Sequence, residues 1–279
     1  MNKKRIYLMI SVVMMALLLT GCSTSTELIT LDTKFSEVMK DGFFSALITY
    51  PLSQAINWLE PKVGIFLAIT LVTVALNAVL LAFTFKSNVA MQKMQEIQPE
   101  IQKIQAKYEG RKDEASQQRM AMEMQQIYKK YDVNPFASLA TTFIQFPLLI
   151  GMYSAVRRSS AVANARFLNT NLALSPAEAI NQKAWVCLAI FVFMILAQFL
   201  AMKLPQILAE RRAKAEADKH HKTYQKPENP NMAMTYGMLA MVALAMYSFP
   251  TALSLYYSIS SVVNIVKTLV IDKITHKED

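Results

Sequence analysis

Three polar side chains stand inside a stretch of sequence that is otherwise apolar. The stretch from Val63 to Phe85 carries no charge, and within it Thr70, Thr73 and Asn77 follow one another at steps of three and four. In a helix this spacing places the three side chains on one face. Hydroxyl and amide groups can hydrate and hydrogen-bond a passing segment without carrying charge. The chemistry predicted here is therefore polar contact inside an apolar helix.

Residues suited to catalysis or to metal binding are scarce elsewhere in the chain. The three histidines, His220, His221 and His276, fall in polar segments, and no HExxH motif is present. A metal site at the adjacent pair lacks a third ligand nearby. The second cysteine, Cys187, lies in an apolar run, where a packing role is expected. We expect no enzyme, no cofactor and no metal centre.

The apolar runs are long enough to cross a membrane. The 23 residues from Val63 to Phe85 make a helix of roughly 34 Å, against roughly 30 Å of hydrocarbon. The chain is 53% hydrophobic, which favours a membrane protein. Pro250 divides the longest run into two spans. The predicted fold is an all-α integral membrane protein whose five transmembrane helices cover residues 62–85, 134–156, 183–203, 232–249 and 251–270.

The amino terminus has the pattern of a secretion signal. Lys3, Lys4 and Arg5 precede an apolar run that ends at LTGC, with Cys22 as its cysteine. LTGC resembles a bacterial lipobox, which implies that residues 1–21 are a signal peptide and that Cys22 carries a lipid. An uncleaved anchor with an incidental cysteine is the alternative. Residues 22–61 would then form an external tether.

The distribution of basic residues predicts the orientation. With Cys22 outside, the predicted cytoplasmic segments 86–133, 203–231 and 267–279 carry nineteen Lys and Arg, and the external ones carry seven. This bias agrees with the positive-inside rule and places the C-terminus in the cytoplasm. Arg157, Arg158 and Arg166 are external exceptions, and we expect them at the level of the lipid headgroups.

The uncharged segment Gly42 to Leu59 is too short and too polar for a further span. It contains Pro51, Gln54 and Asn57, and its apolar residues follow helical spacing on either side of the proline. We predict an amphipathic helix that lies on the outer leaflet, because Trp58 suits a membrane interface.

The predicted cytoplasmic segment 86–133 has the pattern of two helices joined by a turn. Its nine basic and seven acidic residues nearly cancel, so direct binding of nucleic acid is not expected. The repeats predict an antiparallel helical hairpin. A solvated helical pair and a recruitment element both fit. The apolar seam that would serve recruitment consists of Met94, Ile97, Ile101, Ile104, Met120, Met124 and Ile127.

Several motifs in this order resemble one known family. MQEIQPEIQKIQAKY, VNPF, IQFPLLIGMY and FPTALSLYY are similar to motifs of the YidC/Oxa/Alb family of membrane protein insertases, and the similarity extends from about residue 40 to 272. The lipobox and the lack of a large external domain resemble the form found in Gram-positive bacteria. The resemblance implies five helices around a polar groove that is open to cytoplasm and lipid, with insertion of new membrane proteins and no use of nucleotide.

Such a groove requires polar side chains that face the bundle interior. For the threonines and serines, hydrogen bonds between helices are an equally good interpretation. For Asn77 and Gln198 we favour the groove. The predicted groove and substrate contacts are Thr70, Thr73, Asn77, Gln145, Gln198, Ser258 and Ser261.

The chain departs from the family pattern at the groove. Aligned on Lys86, the family's groove arginine falls on Asn77 and its proline on Ala82, while Tyr257 stands where a tryptophan is common. We therefore expect a neutral groove that is less selective for acidic substrate tails.

Nascent membrane proteins and membrane lipids are the expected partners, with the Sec translocase and the ribosome as further candidates. The tail from Asp272 is short and weakly basic, which argues against strong ribosome tethering. A noncatalytic assembly factor of the same fold is the main alternative. A small-solute transporter fits less well, because no inverted repeat is visible.

Overall fold

The computed structural model describes residues 25–111, 113–134, 136–219 and 232–275. Cys22, the predicted signal peptide and the three histidines lie outside these ranges. The helices are α1 Phe35–Met39, α2 Tyr50–Glu96, α3 Gln98–Lys107, α4 Glu114–Lys130, α5 Phe136–Arg158, α6 Ser160–Asn164, α7 Pro176–Asn181, α8 Trp185–Lys219, α9 Met232–Ser248 and α10 Thr251–Thr275. A π-helical turn, Ser45–Thr49, precedes α2. Within the described residues the only β-pairing consists of two isolated bridges, and the predicted all-α class is confirmed.

Three helices of the described chain are long and apolar enough to span a membrane. They correspond to the stretches Ser45–Glu96, Trp185–Lys219 and Thr251–Ile274. Helix α5 has 23 residues and α9 has 17, and the predicted count of five spans stays a prediction. The predicted break at Pro250 is confirmed, because α9 ends at Ser248 and α10 begins at Thr251.

Gly64 interrupts the long helix α2. Its φ of 78° and ψ of 161° are non-helical and separate an N-terminal arm, which starts at Tyr50, from the apolar stretch that follows. The predicted helix at Gly42 to Leu59 is thus present, as the π-helical turn followed by this arm. Beyond the predicted end of the first span at residue 85, α2 continues unbroken to Glu96. Residues 86–96 therefore belong to α2, and not to the hairpin as predicted.

The chain forms two compact units. Unit 1 comprises Met1–Asn77, Phe143–Met194 and Ala243–Ser260, and unit 2 comprises Ala78–Thr142, Ile195–Val242 and Ser261–Asp279. Helices α2, α5, α8, α9 and α10 each contribute residues to both units.

In unit 1, one buried amide joins the N-terminal arm of α2 to its surroundings. Asn57 donates from Nδ2 to the carbonyl of Ile29 at 2.6 Å, and its Oδ1 accepts from the hydroxyl of Ser159 at 2.7 Å and from the N–H of Ala161 at 3.0 Å. Ile29 also pairs with Ser159 as an isolated parallel bridge. The arm, the segment before α1 and the end of α5 are therefore held together by a side chain that makes three hydrogen bonds.

Arg158 in unit 1 has an acidic partner that the sequence did not predict. Its side chain is 6% exposed, and its Nη2 lies 2.6 Å from Oδ2 of Asp41. Its Nε donates to the carbonyl of Glu27 at 3.0 Å. The counter-charge lies 117 residues away in sequence, and the expected position at the headgroup level stays a prediction.

Helices α3 and α4 of unit 2 form the predicted antiparallel hairpin. Lys107 pairs with Glu123 at 2.6 Å near the turn, and Tyr131 donates to Glu100 at the far end. Between these contacts an apolar seam contains Ile97, Ile101, Val133, Met94, Met124, Ile127, Tyr128 and Tyr131. Since Ile97 and Ile101 are buried in this seam, they stabilise the hairpin itself. Recruitment by the partly buried Ile104 and Met120 stays a prediction.

Hydrogen bonds reinforce the hairpin beside its turn. Glu123 also accepts from the hydroxyl of Tyr108 at 2.8 Å. The hydrogen bonds from Lys107 and Tyr108 lower the pKa of Glu123, and the bond to Glu123 raises the pKa of Lys107. At neutral pH the two groups are therefore oppositely charged.

Three helix ends in unit 2 meet at an ionic cluster. Arg212 of α8 pairs with Glu96 at the end of α2 and with Asp272 in α10. Gln92 donates to Asp272 at 2.9 Å. The cluster fixes these three helices to one another next to the hairpin.

Candidate functional site

The polar face of α2 in unit 1 is present as predicted, but its threonines are occupied locally. The hydroxyl of Thr70 donates to the carbonyl of Phe66 at 2.8 Å, and that of Thr73 donates to Ile69 at 2.7 Å. Such bonds to the preceding turn satisfy a hydroxyl inside its own helix. Thr73 is also fully buried. Of the two, only Thr70 is partly exposed and open to further contact.

Asn77 is the polar side chain of this face that reaches another helix. Its Nδ2 donates to the carbonyl of Thr73 at 2.8 Å and to the hydroxyl of Ser260 in α10 at 3.1 Å. No described residue donates to its Oδ1, and the side chain is partly exposed. Both interpretations of Asn77, a hydrogen bond between helices and a polar contact in a groove, therefore fit the structure. Its Nδ2 joins α2 to α10, and its Oδ1 can still accept a hydrogen bond.

Ser260 was missed by the sequence reasoning, which chose its neighbour Ser258. Ser258 is buried, and its hydroxyl donates to the carbonyl of Ser254 within α10 at 2.8 Å. It forms no hydrogen bond with Asn77, and its predicted contact with substrate stays a prediction. The sequence did contain a signal. Every serine of α10 is a candidate partner of Asn77 until the rotation of the helix about its axis is known.

A second polar contact lies in unit 2. Ser261 of α10 donates to Oε1 of Gln198 in α8 at 2.6 Å. No described residue accepts from Nε2 of Gln198, whose side chain is partly exposed. This pair joins two helices and leaves two amide N–H groups available as donors.

Two further polar residues of α2 in unit 2 were also missed. Thr84 and Asn88 are both buried, and Asn88 donates to the carbonyl of Thr84 at 2.9 Å and to its hydroxyl at 3.0 Å. Thr84 lies seven residues after Asn77 and Asn88 four residues further. This spacing continues the face of Asn77, and it could have been recognised from the sequence.

Gln145 stands apart from both polar contacts. It lies in α5 within unit 1 and is exposed, and no hydrogen bond joins it to another described residue. The seven predicted contacts therefore separate into Asn77 with its threonines, the pair of Gln198 and Ser261, the isolated Gln145 and the internally bonded Ser258.

Nothing in the described part of the chain resembles a metal centre. No group of three or more His, Cys, Asp or Glu side chains could hold an ion among these residues. The polar atoms near Asn77 and Gln198 are amides and hydroxyls. What they can do chemically is exchange hydrogen bonds with a polar chain or with water.

Comparison with known proteins gives consistent matches over nearly the whole chain. The model of the 60Kd inner membrane protein family matches residues 58–278. Membrane protein insertase MisCA of Bacillus subtilis is 30% identical over 272 residues, covering 96% of this chain and 92% of the relative. Membrane protein insertase YidC 2 of Bacillus anthracis is also 30% identical, with coverages of 96% and 94%. Membrane protein insertase YidC of Oceanobacillus iheyensis is 27% identical over 97% of each chain.

Proposed function

Because the chain belongs to the 60Kd inner membrane protein family, we propose that it inserts newly made proteins into the bacterial cell membrane. The observation that carries this proposal is the match over 96% of the chain to relatives named membrane protein insertases. The three apolar helices are long enough to span a membrane, which agrees with a function inside the membrane.

The polar contacts could replace the hydrogen bonds to water that a moving hydrophilic tail loses. A peptide tail that leaves water loses hydrogen bonds to its N–H and C=O groups, and each unmade bond costs free energy. The Oδ1 of Asn77 can accept from a tail N–H, and Nε2 of Gln198 can donate to a tail carbonyl. We propose that each of these groups contacts the tail within its own unit, and that Thr70, Gln145 and Ser261 add weaker polar contacts.

The free energy of insertion would come from the substrate. Burial of its apolar segment in lipid contributes roughly 25 cal/mol per Å² of apolar surface. The protein would lower the barrier for the tail by replacing lost water, which requires no nucleotide.

The proposed orientation has Cys22 outside and lipid-anchored, and the C-terminus in the cytoplasm. The nineteen Lys and Arg in the predicted cytoplasmic segments, against seven in the external ones, support it. The Sec translocase and the ribosome are proposed partners at the hairpin α3–α4, where Met122 is 54% exposed.

Rescue of growth tests the proposal. A Gram-positive strain depleted of its own insertases would express this protein, its Asn77→Leu variant or its Val79→Leu variant at equal membrane levels. We expect rescue by the parent and by Val79→Leu, whose site is exposed on the same helix. We expect loss of rescue with Asn77→Leu, because leucine cannot accept a hydrogen bond.

Two other outcomes would change the conclusion. Equal rescue by Asn77→Leu would show that polarity at this position is unnecessary. Failure of the folded and abundant parent would favour a noncatalytic assembly factor, the second candidate, for which the uncharged Asn77 is the specific observation.

The neutral residue also predicts a substrate preference. Asn77→Arg should raise the insertion of an acidic-tailed substrate relative to the same substrate with a neutral tail, because guanidinium attracts carboxylate. The ratio is measured by protease protection in proteoliposomes. An unchanged ratio would show that charge at position 77 does not select substrates.

A further inference from the structure

A tight turn in unit 1 carries an exposed leucine that nothing described so far uses. Phe167 and Thr170 bond to each other through both backbone N–H groups, at 2.8 and 2.9 Å, and enclose Leu168 and Asn169. The two enclosed residues have φ values of 47° and 62°, which fits a type I′ turn. Leu168 is 70% exposed, so an apolar side chain projects from the tip of the turn.

Leucine is a poor residue for this backbone. Positive φ brings the Cβ of an L-residue close to the following carbonyl, and glycine, asparagine and aspartate are preferred in type I′ turns. Asn169 follows this preference and Leu168 does not. Strained residues persist where the surrounding structure holds them, and they cluster at functional sites. We therefore expect the leucine to make a contact that glycine or asparagine could not make.

The base of the turn is held by hydrogen bonds within unit 1. The N–H groups of Thr251 and Ala252 donate to the carbonyls of Leu174 and Leu172 at 2.8 and 2.9 Å. The hydroxyl of Thr251 also donates to Leu174 at 2.7 Å, and Leu172 is fully buried. The turn therefore stands on a fixed support beside the start of α10.

A stacked pair of rings sets the level of the turn along the helices. Phe167 stacks on Phe66, with ring centroids 4.6 Å apart and planes inclined by 19°. Phe66 lies two residues after Gly64, where the apolar stretch of α2 begins. Trp185, which is 69% exposed, begins α8, and tryptophan is enriched at membrane interfaces. In a bilayer, both observations place Leu168 near the level where headgroups meet acyl chains.

The charge beside the turn fits the same location. Arg166 is exposed, as is Leu168 two residues further along, and Arg166 forms no ion pair with another described residue. A basic side chain can keep its charge at the level of the lipid phosphates while an adjacent apolar side chain enters the acyl region. An anionic lipid surface is therefore the partner that fits both side chains.

We propose that the turn from Phe167 to Thr170 is a lipid-binding loop, in which Leu168 enters the outer leaflet and Arg166 contacts an anionic headgroup. The choice of leaflet follows from the proposed orientation. Burial of the leucine among acyl chains offsets the strain of its backbone. The inference goes beyond the insertion of substrates and does not depend on it, because it concerns where unit 1 contacts lipid.

The test uses the full-length protein in nanodiscs of phosphatidylglycerol and phosphatidylethanolamine, where water reaches both faces. A Cys22→Ser, Cys187→Ala background has no native thiol, and a nitrobenzoxadiazole label is attached at Leu168→Cys, Glu109→Cys or Met241→Cys. Glu109, exposed beside the hairpin turn, is the aqueous control, and Met241, 71% exposed in α9, is the acyl-chain control. Iodide quenches labels in water, and spin-labelled lipids quench labels in the bilayer.

We expect iodide to quench the label at Leu168 roughly fivefold less than the label at Glu109, because an aqueous ion does not enter the apolar layer. Lipids with a spin label near the headgroup should quench it more than lipids labelled at the chain end. The label at Met241 should show the reverse order.

A second measurement leaves the turn unlabelled. A photoactivatable phosphatidylglycerol should cross-link to the turn of Leu168→Asn about threefold less than to that of the parent, since asparagine fits the same backbone but gains little from acyl chains. Arg166→Gln should reduce the preference for this probe over a phosphatidylcholine probe by up to about fivefold, the scale of one basic residue at an anionic surface.

Four results would overturn the inference. Iodide quenching at Leu168 equal to that at Glu109 would place the turn in water. Protection from iodide without quenching by spin-labelled lipids would mean that a second protein chain covers the turn. Equal cross-linking of the parent and Leu168→Asn would show that the leucine does not hold the turn in lipid. An unchanged lipid preference in Arg166→Gln would rule out the anionic headgroup as its partner.

Discussion

Replacement of Arg158 by methionine should destabilise unit 1. Methionine has similar length, but it leaves the carboxylate of Asp41 without its cation and the carbonyl of Glu27 without a donor. Removing one partner of a buried pair costs about 3–5 kcal/mol, whereas exposed pairs contribute about 0–1 kcal/mol. Asp41 is 22% exposed, so water recovers part of its loss. We therefore expect a decrease of about 2–3 kcal/mol in the free energy of unfolding.

The single described cysteine provides the assay. Cys187 is buried and belongs to unit 1, so its thiol reacts with a fluorogenic maleimide only when this unit opens. In a Cys22→Ser background it is the only thiol of the chain. The midpoint of labelling along a denaturant gradient then compares Arg158→Met with Arg157→Met, whose exposed side chain bonds only to the hydroxyl of Tyr153 at 3.1 Å.

A paired variant separates charge from packing. If the cost comes from an uncompensated carboxylate, Asp41→Leu added to Arg158→Met should restore part of the lost stability. Equal midpoints for Arg158→Met and Arg157→Met would refute the reasoning, because they would show that the buried ion pair has no net effect.

Two further perturbations test unit 1. An alanine at Gly151 would place its Cβ against Cγ2 of Ile48, closer than van der Waals contact allows. Gly151→Ala should therefore cost about 1–3 kcal/mol in the same labelling assay, and Ile48→Ala should recover part of it; additive losses would contradict this. The pKa of Glu178 is lowered by hydrogen bonds from the N–H and hydroxyl of Ser175, so its stabilisation of α7 is present above the ordinary carboxyl pKa and disappears as the pH falls through the lowered value. Hydrogen exchange in α7 should follow this dependence in the parent and lose it in Glu178→Gln, and a parent without it would contradict the capping role.

The helices with a clear pattern of apolar residues were predictable from the sequence. The long helices α2, α8 and α10 follow from long uncharged runs, of which the run in α2 exceeds the roughly 30 Å hydrocarbon layer. The hairpin follows from apolar residues at steps of three and four, which its seam confirms. In each case the signal lies within neighbouring residues, so no knowledge of distant contacts was needed.

The details of the polar contacts were not predictable in the same way. Ser258 and Ser260 differ by about 200° around α10, and a helix with serines on several sides does not reveal which of them faces Asn77. The partner of Arg158 was missed for another reason, because Asp41 lies in a separate segment and no local pattern connects the two. Rotation of helices and long-range pairing are set by tertiary packing.

A substitution at Gly64 would have an effect that the contacts of this residue do not reveal. A side chain at this position would meet no atom within 4 Å, so a survey of variants based on contacts would classify substitutions here as harmless. Its backbone has a φ of 78° and a ψ of 161°, a region that essentially only glycine adopts and that costs other residues about 1–3 kcal/mol. Without the bend, the 47 residues of α2 would form a single rod of roughly 70 Å. A substitution here would therefore change the direction of the chain, and its effect should be judged by backbone geometry.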